Sequence, residues 1–376
     1  MSFDVDLKSV PSSEQIQGYL VAPRGKTRWN ALFRFGAQFA AILINLLATP
    51  YIIRHLGVES YGIVGIINTL VSFMAVATTS LTSTVGRNLT FAVEQQEYGK
   101  ANKEISTAVY GFLRLFAIVF LPLCALTMFI EQLIIIPSQM IFNARILFLL
   151  AVLSFGFTAI SGPLGAAMFV RNRLDIFSGA SISKTVFFIA LLVALFSTVG
   201  ASLATYGIAL LASSILLCFL HLRIHRHLLP GIEISRRWFD RTILRAIMSL
   251  GGWMTLNQFG VLLFLQTDLL IANRVLGVTE AGKFAAISVI SLQLRALAGL
   301  VSGLFAPNQA AIAARGDWPS FSKYLFRSIR ITTLFMALLV GVFCGSAREV
   351  LTIWLGKEFA PLAPVAILMN GVAHVG

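Results

Sequence analysis

The segment RHLGVESYG at residues 54–62 recurs as RVLGVTEAG at residues 274–282, and Arg, Leu, Gly, Val and the final Gly are shared. Gln38 with Gln258 and Phe39 with Phe259 keep the same ungapped spacing of 220 residues. An internal repeat of this length in an apolar chain is typical of secondary transporters, whose substrate path lies between the repeats near the bilayer midplane. The segment therefore predicts two related halves.

The composition is that of an integral membrane protein. The chain is 57% hydrophobic and 12% charged, whereas soluble domains carry roughly a quarter charged residues. Stretches of about 20 apolar residues, the length that crosses a bilayer, recur along it. We predict an all-α polytopic fold with about ten spanning helices, at residues 31–53, 61–85, 108–130, 145–169, 176–196, 200–222, 246–272, 284–306, 327–346 and 361–376.

The distribution of basic residues predicts the orientation of these helices. The net charge is +13, and 20 of the 29 Lys and Arg residues fall in the N-terminal tail and the even-numbered loops. Six fall in the odd-numbered loops, and three lie within spans. The positive-inside rule then places the N-terminus in the cytoplasm. A membrane explains the charge better than a nucleic-acid partner does.

The repeat and the charges together predict the domain organisation. Residues 1–30 form a cytoplasmic polar tail, 31–222 an N-terminal lobe of helices one to six, 223–245 a basic cytoplasmic linker, and 246–376 a C-terminal lobe of helices seven to ten. Six helices separate the two copies, so both enter the membrane in the same direction and form a parallel repeat. The second lobe is shorter by about two helices, so we expect it to be incomplete.

The sequence contains none of the common motifs of enzymatic chemistry. No glycine-rich loop ending in Gly-Lys-Ser/Thr is present, and no Ser/His/Asp or paired-carboxylate arrangement stands out. His221 and His225 would share a helix face but have no nearby acidic or cysteine ligand. We therefore predict a transporter without a metal site or cofactor, and not an enzyme.

Ionisable residues inside the apolar spans are the candidate functional residues, because each is costly in a bilayer unless paired or hydrated. Arg295 lies near the middle of helix eight and is expected to face a cavity. Lys184 and Arg114 either line that cavity or extend to the headgroups. Asp268 either forms a structural ion pair with Arg295 or Arg274 or couples transport to protons or sodium. Because cations dominate, the ligand is expected to carry phosphate groups.

Two further patterns each leave two alternatives open. Gly162-Pro163 and Gly165 in helix four predict either a kink that lines a cavity or the end of that helix. Arg236, Arg237, Arg241 and Arg245 alternate with apolar residues, which is expected of an interfacial helix or of a solvated extension of helix seven.

Several segments resemble the polysaccharide-biosynthesis family, the O-antigen and lipid-linked oligosaccharide flippases of the multidrug/oligosaccharidyl-lipid/polysaccharide exporter superfamily. They are TPYIIRHLGVESYGIVGIINTL at 49–70, GRNLTFAVEQQEYGKAN at 86–102, DLLIANRVLGVTEAG at 268–282 and FAPNQAAIAARGDW at 305–318. The resemblance implies two lobes of twelve or more helices with a cationic central cavity. It places Arg295 among cavity arginines, Arg34 near the start of helix one as in relatives, and Asp268 at the helix-seven Asp.

The resemblance also implies the activity: a polyprenyl-diphosphate-linked oligosaccharide moves from the cytoplasmic to the outer leaflet by alternating access, for O-antigen, capsule or exopolysaccharide synthesis. The partners would be this substrate, membrane lipid, other glycan-assembly proteins and a proton or sodium gradient. Two alternatives stay open. A drug or metabolite exporter would favour intramembrane acids, and a membrane-embedded glycan polymerase or transferase would need a large outer loop.

Overall fold

The computed structural model describes residues 24–373, and within this range the side chains at 24–32, 34, 77, 79–81, 83, 250–254, 265, 306–307, 310–311, 314 and 372–373 are left out of the description. The described chain is helical and contains no strand. The predicted polar tail, residues 1–30, falls mostly on residues outside this range.

The described residues form eleven α-helices, besides a four-residue turn of helix at Ile130–Leu133. They are α1 (Arg24–Leu56), α2 (Val58–Glu94), α3 (Tyr98–Met128), α4 (Ile141–Val170), α5 (Leu174–Thr198), α6 (Leu203–Leu228), α7 (Arg241–Leu276), α8 (Val278–Ala314), α9 (Trp318–Gly345), α10 (Ala347–Trp354) and α11 (Ala363–Ala373).

The lengths of these helices confirm a polytopic all-α membrane protein. Eight helices of the described chain are long and apolar enough to cross a bilayer. The number is nine if Thr255–Phe264 and Gln266–Leu276, which meet at a 42° bend within α7, count as one span. Nine predicted spans therefore have a counterpart. The tenth, 361–376, begins with the short helix α11 and continues past the described residues.

The helix boundaries repeat with the sequence. α1 ends at Leu56 and α7 at Leu276, and the helices that follow, α2 and α8, also begin 220 residues apart. α2 ends at Glu94 and α8 at Ala314, and α3 and α9 again start with the same offset. The two copies of the repeat thus fold into the same local structure, although few of their residues are identical.

Polar N-cap residues set two of these boundaries. Ser202 starts α6 with a capping box, in which its hydroxyl accepts from the Thr205 backbone N–H at 3.1 Å and its own N–H donates to the Thr205 hydroxyl at 3.0 Å. Asp240 starts α7 by accepting from the backbone N–H of Thr242 at 2.8 Å. These bonds satisfy N–H groups that a helix start leaves free.

The described residues form two compact units: one is Ala40–Val289, and the other comprises the described residues up to Phe39 together with those from Ile290 onward. The core of the first unit lies between α2, α4 and α6, where Ile63, Ile67 and Phe148 are fully buried. Within it, the hydroxyls of Ser154 on α4 and Ser214 on α6 are 2.6 Å apart and satisfy each other. The predicted lobe boundaries at 222 and 246 stay predictions.

The alternative of a helix end at Gly162-Pro163 is excluded, because α4 continues to Val170. Pro163 is buried, and a Cβ on Gly162 would lie 2.7 Å from the Thr82 hydroxyl. His221 of α6 contacts the same segment through its Nδ1, 2.8 Å from the Ser161 carbonyl oxygen. This part of α4 is therefore packed closely against α2 and α6.

The basic segment before α7 does not form a separate interfacial helix. Arg236–Trp238 is a single 3₁₀ turn, and the helix that includes Arg241 and Arg245 is the start of α7 itself. The alternating basic residues thus belong partly to an extension of helix seven, which was one of the two interpretations.

Candidate functional site

Two glycines allow the turns at which the repeat is most similar. Gly57 joins α1 to α2 with φ of 83°, and Gly277 joins α7 to α8 with φ of 89°. Both values lie in the region that residues with a Cβ rarely adopt. The shared Leu-Gly-Val therefore encodes the same reversal twice.

The helices that follow these turns meet at the last shared glycine. A Cβ on Gly62 of α2 would lie 2.8 Å from the Gly282 Cα, and a Cβ on Gly282 of α8 would lie 2.1 Å from the Val58 carbonyl oxygen. Such contacts are shorter than any real Cβ makes, so both positions require glycine. The backbones of α2 and α8 are thus in direct contact where the repeat is strongest.

Equivalent residues of the two copies also form a hydrogen bond with each other. The Thr279 hydroxyl donates to Glu59 Oε1 at 2.9 Å, and these positions are separated by the repeat length of 220. Three residues after Gly62, a Cβ on Gly65 would be 3.0 Å from the Cβ of its counterpart Ala285. Contacts between equivalent positions occur where a twofold axis passes between the copies. The local axis therefore runs between the first turns of α2 and α8.

The end of α7 holds a loop of the first copy through one buried amide. Asn273 is fully buried, accepts from the Ile135 N–H at 2.8 Å and donates to the Ile135 carbonyl oxygen at 3.2 Å. A side-chain amide satisfies both backbone groups of one residue in this way. Sequence reasoning missed Asn273, although a polar residue beside Arg274 in an apolar helix was a usable signal.

The loop that Asn273 holds is also fixed by an ion pair. Arg145 Nη2 donates to Glu131 Oε1 at 2.6 Å and to the Met128 carbonyl oxygen at 2.9 Å. The hydrogen bond from Arg145 lowers the pKa of Glu131. The carboxylate is thus charged at neutral pH, and the connection between α3 and α4 is anchored at both ends.

Lys184 and Arg295 are the two predicted site residues with the clearest unmet charge. Lys184 on α5 and Arg295 on α8 are half-buried. Neither makes a hydrogen bond or ion pair with another residue in the described part of the chain. The two lie in different compact units, and each is a basic residue on an apolar helix.

Arg114 and Arg34, the other predicted cations, have different settings. Arg114 on α3 is exposed, and its guanidinium carbon lies 4.0 Å from the centroid of the Phe239 ring. That distance is a cation–π contact. Arg34 lies within α1, but its side chain is outside the described residues.

Asp268, the predicted coupling residue, is exposed near the end of α7. Among the ion pairs of the described residues, none joins Asp268 to Arg274 or to Arg295. The structural ion pair is thus not seen, and the coupling role stays a prediction. The described residues include no group of three or more His, Cys, Asp or Glu that could hold a metal.

A second contact missed at the sequence level connects α3 to the linker before α7. Asn102 Oδ1 accepts from the Glu233 N–H at 2.9 Å, Ser106 Oγ accepts from the Ser235 N–H at 3.1 Å, and Thr107 Oγ1 accepts from the Asp240 N–H at 2.9 Å. These three side chains lie along one face of α3. They satisfy backbone N–H groups of the linker, which is not helical at these points and cannot pair them internally. The linker is therefore fixed to α3 as far as the N-cap of α7.

Comparison with known proteins identifies the family of this chain. The chain matches the profile described as polysaccharide biosynthesis protein over residues 51–364. It is 31% identical over 341 residues to a protein described as uncharacterized membrane protein EpsK from Bacillus subtilis (strain 168), an alignment that covers 90% of this chain and 68% of the relative.

Solved structures share the fold at low sequence identity. An inward-facing multidrug resistance MATE family transporter of the MOP superfamily has a TM-score of 0.66 at 16% identity, covering 92% of this chain and 83% of its own. An outward-facing MATE transporter of the same superfamily has a TM-score of 0.62 at 15% identity, covering 94% and 82%. These similarities show a MATE-like fold. The profile match over residues 51–364 and the 31% identity to the Bacillus subtilis protein establish that the chain belongs to the polysaccharide biosynthesis protein family.

Proposed function

We propose that this protein is a transporter, not an enzyme, and that it moves a polyprenyl-diphosphate-linked oligosaccharide from the cytoplasmic to the outer leaflet of a bacterial inner membrane. The observation that carries the proposal is the presence of Lys184 and Arg295 on apolar helices without an acidic partner among the described residues. Placing such a cation in a membrane costs roughly 2.5–3.5 kcal/mol on insertion scales. A ligand that brings phosphate oxygens would offset this cost.

The family supports the choice of ligand. Its description concerns polysaccharide biosynthesis, and the lipid-linked oligosaccharide that the family resemblance implies would carry its negative charge on a diphosphate. Arg binds such groups with two parallel hydrogen bonds, and Lys adds a point charge. A neutral sugar alone would leave both charges without a partner. The products served would be O-antigen, capsule or exopolysaccharide.

Alternating access requires a contact that forms and breaks at one end of the path. The contact of Gly62 with Gly282, together with the Glu59–Thr279 hydrogen bond, joins α2 to α8 at the turns that the charge pattern assigns to the outer side. In our proposal these first turns separate when substrate leaves toward the outer leaflet. Movement of parallel repeats about their common axis is the general mode of such transporters.

Substitutions at the two cations test the proposal. We expect Arg295→Ala and Lys184→Ala to abolish translocation of a polyprenyl-diphosphate glycan in proteoliposomes, while Arg295→Lys keeps part of it because the charge remains. Arg330→Ala, which removes an exposed arginine of α9, is the matched control. Full translocation by both alanine variants, with normal insertion, would refute the cation assignment.

A second candidate is export of a drug or metabolite. Asp268 favours it, because an exposed carboxylate on a spanning helix, with no ion pair among the described residues, could bind a cation. The experiment separates the two functions. Efflux of an organic cation that is lost in Asp268→Asn, with glycan translocation absent from the intact protein, would replace our proposal.

A further inference from the structure

A cavity of about 330 Å³ lies between α3 and α7, apart from the cations Lys184 and Arg295. Its volume is at the lower end of the range for ligand pockets. Arg114 is the one charged side chain among the described residues that line it. The apolar wall includes Ala108, Gly111, Leu115, Ile118, Leu244 and Met248.

The charge and the apolar wall occupy different parts of this cavity. Side chains on a helix lean toward its N-terminus, so the Arg114 guanidinium lies toward the linker, where it stacks 4.0 Å from the Phe239 ring. The α3 wall continues in the opposite direction as far as Ile118, about one turn beyond Arg114. A ligand that fits would be amphiphilic, with an anionic group at the linker end and a hydrocarbon chain beyond it.

The cavity opens on the side of α3 and α7 that would face lipid in a membrane. Ile118 on α3 is 70% exposed and Met248 near the start of α7 is 47% exposed. In a bilayer, lipid hydrocarbon would cover both side chains. Exposed Arg241 and Arg245 add positive charge at the start of α7. Membrane lipid is therefore the amphiphile with direct access, and anionic lipid is attracted to such a basic rim.

The acid next to Phe239 in the sequence forms no ion pair with Arg114 among the described residues. Asp240 follows Phe239, but its carboxylate accepts from the Thr242 backbone N–H at 2.8 Å and lies 4.0 Å from Lys103 Nζ. The backbone hydrogen bond from Thr242 lowers the pKa of Asp240. Arg114 forms no ion pair among the described residues, so its edge donors are free while its face rests on Phe239.

We propose that the α3–α7 cavity binds an anionic phospholipid of the surrounding bilayer, with the phosphate on Arg114 and part of one acyl chain along the wall toward Ile118. The site does not depend on the transported substrate. Because α3 belongs to the first copy of the repeat and α7 begins the second, the lipid would occupy the space between the two beside the linker. Its binding would stabilise the arrangement of α3 and α7 that leaves this cavity between them.

Photolabelling of the full chain in nanodiscs tests the site. The probes are phosphatidylglycerol and phosphatidylcholine with the same photoreactive acyl chain, and mass spectrometry locates the label. We expect phosphatidylglycerol to label residues 108–118 and 244–248 in preference to phosphatidylcholine. Arg114→Gln should reduce that labelling roughly fivefold, the effect of one cation near a lipid surface, and Arg114→Lys should keep most of it.

Arg223→Gln is the matched control, because Arg223 also lies on a spanning helix and stacks on an aromatic ring, Phe219, at 5.7 Å without lining the cavity. Label elsewhere on the chain reports whether each variant is folded. Equal labelling by the two lipids, or no change in Arg114→Gln, would overturn the proposal. So would displacement of the label by substoichiometric undecaprenyl phosphate, because the occupant would then be a polyprenyl lipid.

Discussion

The segment from Gly57 into α3 and the segment from Gly277 into α9 have the same helix boundaries but different polar residues. Both contain the positive-φ glycine, the close-contact glycine and an Asn that bonds the next helix sixteen residues on: Asn88 to Glu104 at 3.5 Å, and Asn308 to the Tyr324 hydroxyl at 3.0 Å. Backbone geometry requires the two glycines in each segment, whereas the shared Asn bonds a different residue in each copy.

Two candidate functional charges, by contrast, occur in one copy each. Arg295 aligns with Ala75, and Asp268 aligns with Ala48. Asn273, which holds the Ile135 backbone, aligns with Ile53. A pseudo-symmetric frame therefore carries an asymmetric set of polar residues. In our proposal, the difference means that the frame provides the movement and that single positions provide ligand recognition.

The glycine contact should show the largest effect on stability. We expect Gly282→Ala to lower the free energy of unfolding by about 1–3 kcal/mol, the usual cost of overpacking, because its Cβ would meet the Val58 carbonyl oxygen at 2.1 Å. Gly62→Ala should cost less, since its closest contact is 2.8 Å. Gly299→Ala on the same helix α8 has open space and should gain up to about 1 kcal/mol. Thermal unfolding in detergent measures all three, and equal melting temperatures would mean that α2 and α8 do not touch.

Asn273, which is present in the second copy only, should show the next largest effect on stability. Replacing Asn273 by the first-copy residue, Asn273→Ile, leaves the Ile135 N–H and carbonyl unpaired, which should cost about 1–3 kcal/mol. Hydrogen exchange at the Ile135 amide should become faster while exchange in α4 is unchanged. Protection of that amide in the variant would show that another group fixes the loop.

The recurring Asn contact allows a direct comparison of the two copies. Glu104 is buried and Tyr324 is half-buried, so Glu104→Ala should destabilise its unit by about 1–2 kcal/mol. Tyr324→Phe should cost under about 1 kcal/mol, because water can replace the lost hydroxyl at Asn308. Urea unfolding of the two variants checks the order, and a larger loss in Tyr324→Phe would reverse our comparison.

The smallest effect concerns pH at the linker. The pKa of Asp240 is lowered chiefly by the hydrogen bond from the Thr242 backbone, so the cap stabilises α7 above the unfolded pKa of about 4 and the stabilisation is lost as pH falls through the lowered value. Exchange of the Thr242 amide should therefore increase below about pH 4. Asp240→Asn should show no such step, and a step in both proteins would assign it to another group.

The fold was predictable from the sequence because hydrophobic length and repeat spacing are local signals. These signals predicted the repeated turns at Gly57 and Gly277 and nine of the spanning helices. The hydrogen bond of Glu59 with Thr279 could have been inferred from the spacing of 220, since residues on a twofold axis meet their own counterparts. Asn273 and the side chains of Asn102, Ser106 and Thr107 bond to backbone groups over 100 residues away, and no pattern in one sequence gives such a pairing.

The central claim is that α2 and α8 must separate at their first turns during transport. In a background without Cys124, Cys218 and Cys344, the pair Glu59→Cys with Thr279→Cys replaces the 2.9 Å hydrogen bond by a disulfide. Glycan translocation in proteoliposomes should stop on oxidation and return on reduction, while either single variant is insensitive to both. Full translocation by the cross-linked protein would contradict the account.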